Sequence, residues 1–205
     1  MDDVYYMIRK PAQHEMKIKG SRFLAESRIA ETVDDAQTAL EQIRKREHAA
    51  THHCYAYRVG LFEQAKSKYS DDGEPSGTAG APIYNAICGN NLTNTLVVVT
   101  RYFGGTKLGT GGLVRAYGDA ARQVIELAGV KKRYLMERLT LDIDFSLFDL
   151  IIKLLPRFEA NQIHAAFSDR VSLELEVRKS RADELKSEIS RLSAGNARIA
   201  TQREN

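Results

Sequence analysis

The second half of the chain states its periods most plainly. Leu139, Leu141, Ile143 and Phe145 alternate with polar residues, the two-residue period of a half-buried strand. Ser146 is placed to cap a helix, with Asp149 three residues on and Phe145 able to pack on Leu150 as a hydrophobic staple. Leu147, Leu150, Ile151, Leu154 and Leu155 share one side of that helix, and Pro156 ends it. Ile163, Ala165 and Phe167 alternate, Ser168-Asp169-Arg170 turn, and Val171, Leu173, Leu175 and Val177 alternate again, which is the pattern of a hairpin. Ser180 stands where a cap belongs for a second helix bearing Leu185, Ile189 and Leu192, and Gly195 stands at its left-handed stop. A short strand over 197–201 closes the order βαββαβ, and that order predicts a ferredoxin-like sandwich.

The first part has a different texture. A strand is predicted over 23–29, then a helix capped by Thr32 with Val33, Ala36, Leu40 and Ile43 on its core face. A second strand covers 53–59. Residues 66–80 read as a polar, turn-rich loop leading into a helix over 81–88. Thr95 to Phe103 contains the run LVVV, a strand buried on both faces. A helix over about 113–128 follows, its stripe being Leu113, Tyr117, Ala120, Val124 and Ala128. The expected class is α+β in two domains, 1–133 and 134–205.

Composition changes this picture little. The 205 residues are 43% hydrophobic and 28% charged, an ordinary globular balance that sets aside disordered and fibrous classes. No stretch approaches the ~20 apolar residues of a membrane span. MDDVYYMIRK opens on two aspartates and lacks an apolar core, so no secretory signal is expected. Cys54 and Cys88 read as reduced thiols in a cytoplasmic protein. Charge is more informative by position than in total. The chain carries +3, but Val98 to Arg133 alone carries +5, leaving −2 for the rest. An anion is drawn to that segment if to any.

Inside it lies RYFGGTKLGTGG, Arg101 to Gly112, with five glycines between a strand and a helix. Free amides and a helix dipole at such a junction suit an anion. Neither the Walker pattern nor the dinucleotide pattern fits, since Gly109 is followed by Thr110-Gly111 and position 114 is Val. The plainer reading is a corner that uses glycine for positive φ, with Arg115 paired to Asp119 along the helix. HAATHHCYAY, His48 to Tyr57, gathers three histidines and a cysteine; His48 and His52 could share a helical face with Cys54 near, as zinc would want, but no CxxC or HExxH pattern is present and strand alternation separates His53, Tyr55 and Tyr57 from Cys54 and Ala56. YSDDGEPSGTAGAP, Tyr69 to Pro82, offers Asp71, Asp72 and Glu74 as magnesium ligands or as acid and base, or simply as turn residues. No nucleophile elbow surrounds Ser76. No catalytic residue, metal or cofactor is assigned.

Taken in order, SRF (Ser21 to Phe23), ATHHCYAYR (Ala50 to Arg58), SDDGEPSGTAGAPI (Ser70 to Ile83) and VVVTRYFGGTKLGTGGLVRAY (Val97 to Tyr117) resemble the IMPACT family in its two-domain bacterial form. The resemblance implies an N-terminal α/β sandwich with the fold of the second domain of a ribosomal small-subunit protein, also seen in domain four of elongation factor G. It implies a C-terminal ferredoxin-like domain similar to domain five of that factor. Eukaryotic relatives regulate translation initiation by competing for a ribosome-associated activator of a starvation-response kinase, a pathway bacteria lack. What carries over is a link to translation through RNA, the ribosome or a protein partner of that machinery.

The expected binding set is the glycine stretch (Arg101, Tyr102, Phe103, Gly104, Gly105, Lys107, Gly109, Gly111, Gly112), Arg115, the His/Tyr strand (His52, His53, Tyr55) and the acidic turn (Asp71, Asp72, Gly73). Arg101, Lys107 and Arg115 would meet phosphates, and Tyr102 or Phe103 would stack on a base. The competing reading is an enzyme acting on a small phosphorylated substrate at the glycine loop, with His52 or Asp72 as base. A closed pocket formed by the loop amides, the histidines and the two aspartates would favour the enzyme, and an open positive surface the binder. Oligomeric state is not fixed by these patterns.

Overall fold

A computed structural model describes residues 3–202. The chain divides into two compact units, one spanning Tyr5–Arg133 and the other formed by Tyr134 onward together with Asp3 and Val4. No helix among the described residues is long and apolar enough to cross a membrane.

The first unit is built on β2 (Ala12–Ile18), β3 (Ser21–Ile29), β4 (His52–Val59), β5 (Lys66–Ser70) and β6 (Thr95–Tyr102), paired antiparallel in the order β2-β3-β6-β4-β5. β6 is central and buried on both faces for its first seven residues, as the LVVV run requires. One face packs on α2 (Gly80–Gly89) and α3 (Thr110–Ala128) through Phe23, Ala25, Cys54, Ala56, Val97 and Val99. The other packs on α1 (Val33–Arg46) through Tyr55, Tyr57, Leu96 and Val98. Thr32 caps α1 in a full capping box with Asp35. A two-stranded sheet pairs β1 (Val4–Ile8) with β7 (Val130–Tyr134).

Three expectations about this unit change. Residues 66–70 form the edge strand β5, because their backbone completes the ladder with β4 although their side chains carry no apolar period. α3 starts at Thr110, three residues early, since glycines in a first turn hide the helical pattern. β1, β2 and β7 were not foreseen, and their half-exposed residues explain why.

The second unit has the order β8 (Met136–Ile143), α4 (Phe145–Leu154), β9 (Ala160–Phe167), β10 (Val171–Arg178), α5 (Lys179–Leu192) and β11 (Arg198–Gln202). Its antiparallel sheet runs β11-β8-β10-β9, the βαββαβ sandwich expected. Leu139, Leu141, Ile143, Leu173, Leu175, Ile151, Leu185 and Ile189 are buried in its core. Local details differ. Asp144, not Ser146, stands at the N-cap of α4, and Phe145 turns its ring to Phe167 instead of stapling Leu150. α5 starts one residue before Ser180, whose N–H donates to the Asp3 carboxylate 3.0 Å away. A side chain from the far end of the sequence thus replaces a local cap.

Candidate binding surface

Strand directions carry the sequence motifs to one end of the five-stranded sheet. β3 and β4 begin there, β5 and β6 end there, and the connections to α2 and α3 start there. Backbone contacts tie the connections together. Thr51 N–H donates to the Arg101 carbonyl at 2.9 Å, and Phe103 N–H donates to Thr51 Oγ1 at 3.3 Å. Gly104 lies so close to Gly20 that a Cβ on Gly104 would overlap the Gly20 carbonyl group.

The acidic turn faces inward. The Asp71 carboxylate accepts from the N–H groups of Gly77, Ala79 and Gly80 at 2.8–2.9 Å. Burial pushes its pKa up, but the three donors together hold it below the usual aspartate value. Asp72 accepts from His53 N–H at 2.7 Å and from Arg44 at 2.9 Å. Glu74 is buried and its Oε1 accepts from Arg101 at 2.6 Å and from the Tyr117 hydroxyl at 2.7 Å. His52 Nδ1 meets the Asp72 carbonyl at 2.7 Å, and since a carbonyl only accepts, the proton sits on Nδ1. Its Nε2 is 4.0 Å from Glu74 Oε1. The Cys54 thiol donates to the Asp71 carbonyl, and burial pushes its pKa up to about 12, so it is inert as a nucleophile.

The expected binding set therefore divides. His52, Cys54 and Arg101 lie on the α2/α3 face, whereas His53, Tyr55 and Tyr102 lie on the α1 face. Arg101 is 5% exposed and engaged with Glu74 and Ser21, so it is a structural cation in this arrangement. His53 is buried against Thr100, and burial lowers its pKa. Tyr55 stacks on Tyr57 in the core. Tyr102 gives its hydroxyl to Glu47 and lies under the Arg22 guanidinium. Asp71, Asp72 and Gly73 shape the turn, and Gly73 takes a positive φ beside the His52 ring. His48 lies beyond the end of α1, so it shares no helical face with His52, and no metal-ligating cluster occurs among the described residues.

What faces solvent is a smaller group. Phe103 is 49% exposed, with the fixed Arg101 guanidinium 5.4 Å from its ring centroid. Lys107 and Arg115 are exposed and form no ion pair among the described residues; Asp119, expected beside Arg115, is taken by Arg122. Gly109 is the N-cap of α3, and no side chain caps the helix. Gly105 and Gly109 have positive φ, and Gly112 packs tightly on Leu108. Gly111 alone has neither reason: a Cβ there would meet only the tip of Arg115, at 4.0 Å.

The Impact N-terminal domain model matches residues 19–125. The chain belongs to the IMPACT family. A domain of unknown function, DUF1949, matches residues 141–196 in the second unit. IMPACT family member YvyE of Bacillus subtilis is 35% identical over 95% of this chain and 89% of its own length. An IMPACT family member of Haemophilus influenzae is 33% identical over 93% of both chains. A crystal structure of a hypothetical protein, 28% identical, superposes over the whole of both chains with a TM-score of 0.68. IMPACT membership covers both units of the chain, but it names no ligand.

Proposed function

We propose that this IMPACT protein acts in translation as an RNA-contacting regulator, and that the motif-bearing end of the first unit is its contact surface. One observation carries the reading. At that end Asp71, Asp72, Glu74 and Glu47 are all engaged inside the fold, whereas Lys107 and Arg115 are exposed, form no ion pair among the described residues, and flank a helix N-terminus that no side chain caps. The surface is thus positive, open and partly bare backbone, which suits phosphate. Phe103 beside it offers a ring held in place for an unstacked base. Of the groups an enzyme would need as base, both aspartates are occupied by fold-internal donors, and His52, which donates from Nδ1 to a carbonyl, has its Nε2 turned toward Glu74 Oε1 at 4.0 Å.

Titration of ribosomes and single-stranded RNA at two salt concentrations tests this. Lys107→Ala and Arg115→Ala are each expected to weaken binding evenly across sequences and to lower the salt slope by about one unit. Phe103→Ala should cost about 1–3 kcal/mol of binding, and Tyr102→Phe should cost nothing beyond its lost bond to Glu47. Gly111→Ala separates stability from contact. It removes a glycine from the second position of α3 and should stabilise the fold, by at most about 0.5–1 kcal/mol, while weakening RNA binding if phosphate approaches that backbone. Salt-independent behaviour of the wild type, with stoichiometric binding of a small phosphorylated compound, would transfer the surface to the enzyme reading.

A further inference from the structure

The two larger sheets have four edge strands, and three of them are guarded by charge. β2 carries Glu15 and Lys17, β5 carries Lys66 and Lys68, and β11 carries Arg198. Such charges keep an open ladder from pairing with a copy of itself. β9 is different. Its sequence, ANQIHAAF, holds no Asp, Glu, Lys, Arg or Pro, and six of its eight residues are exposed. Beside it lies exposed apolar surface: Phe167 is 58% and Phe145 53% exposed, and the rings of Phe145 and Phe148 stand 6.2 and 5.2 Å from that of Phe167.

We propose that β9 is the seam between two copies of this chain, paired antiparallel about a twofold axis. In such a pairing each residue meets its own kind or a near neighbour, so a charged strand would set like charges opposite each other. β9 has none to set. A bulge leaves Ile163 without a partner on β10, between regular pairing over Ala160–Gln162 and over His164–Phe167. Centring the axis on Ala165 brings small side chains to the middle and places Ile163 of one copy opposite Phe167 of the other. The flanks give the direction. Just before β9 stands exposed Arg157, near the Phe158 ring and felt by Glu188 of α5, and just after it exposed Asp169; among the described residues neither forms a salt bridge. The other charges there are satisfied internally, Glu159 by Arg178 and Arg170 by Asp142 and Asp144. An antiparallel twin carries Arg157 of each copy toward Asp169 of the other, whereas a parallel one would bring like charges together.

Sedimentation equilibrium of the full chain over a range of concentrations tests the seam. The weight-average mass should rise toward twice the chain mass. Ile163→Lys, at an exposed unpaired position, should abolish the rise while leaving the circular dichroism spectrum unchanged. Arg157→Glu and Asp169→Arg should each raise the dimer dissociation constant at least about tenfold, and the two together should restore it to within about threefold of wild type. A wild type that stays at monomer mass throughout overturns the proposal. So does a dimer that Ile163→Lys leaves intact, or a double reversal no better than the singles.

Discussion

Glu74→Ala is expected to remove about 3–5 kcal/mol from the stability of the first unit, the typical cost of leaving one member of a buried ion pair without its partner. The Glu74 side chain is 4% exposed and the Arg101 side chain 6%, so both charges are largely removed from water. Truncation strands the guanidinium and also leaves the buried Tyr117 hydroxyl without its acceptor. Against a total of roughly 5–15 kcal/mol for a domain, the loss threatens folding itself. Hydrogen exchange of the β6 amides reports this unit alone, and protection there should fall roughly a hundred- to several-thousand-fold. Glu74→Gln keeps an oxygen for Tyr117 and should lose less. Pairing it with Arg101→Met should recover part of the loss, because the uncompensated charge goes too. A fall of under about tenfold in Glu74→Ala would show that the pair is not the buried link described.

Asp3→Asn should cost the second unit about 2–4 kcal/mol near neutral pH, less than Glu74 because Arg178 is 22% exposed and retains Glu159 at 3.6 Å. Asp3 is buried, takes a two-pronged contact from Arg178 at 2.8–3.1 Å, and accepts from Ser180 N–H at the start of α5. The Arg178 hydrogen bonds hold its carboxyl far below the usual aspartate value, outweighing the upward push of burial. The folded pKa is thus depressed, so this stability is fully present above the unfolded value of about 3.9 and fades as pH falls below it. Wild type and Asp3→Asn should therefore differ most at pH 7, and their urea midpoints should converge as pH drops from about 4 toward 2. A gap that does not narrow would assign the effect to something other than the carboxylate charge. The same contact means that a fragment starting at 134 lacks a member of its own unit. Such a fragment should be weaker than one to which the first residues are restored.

The two units were legible to different degrees. In the second, alternating Leu139-Leu141-Ile143 and Val171 to Val177 pair along the full length of β8 and β10, so periodicity alone sufficed for the topology. In the first, β6 and the stripe of α3 were readable from apolar runs, whereas β5 was not, because KSKYS is an edge strand that faces water. Motif residues were readable as a set but not as roles. Arg101, Lys107 and Arg115 look alike along the chain, yet only the fold makes the first a buried partner of Glu74 and leaves the others outside.

The sequence by itself determined the element order of the second unit, the family and the motif stretches of the first, because hydrophobic period and glycine placement act over a few residues at a time. Only the tertiary structure decided which face each motif residue takes, since strand pairing sets His52 and His53 on opposite sides of one sheet. It alone decided which carboxylates are spent, since Asp71 finds its donors six to nine residues away and Glu74 finds Arg101 twenty-seven away. It also brought Asp3 to Ser180, 177 residues apart. Desolvation gives such long-range partners their weight, and desolvation exists only once the chain has packed.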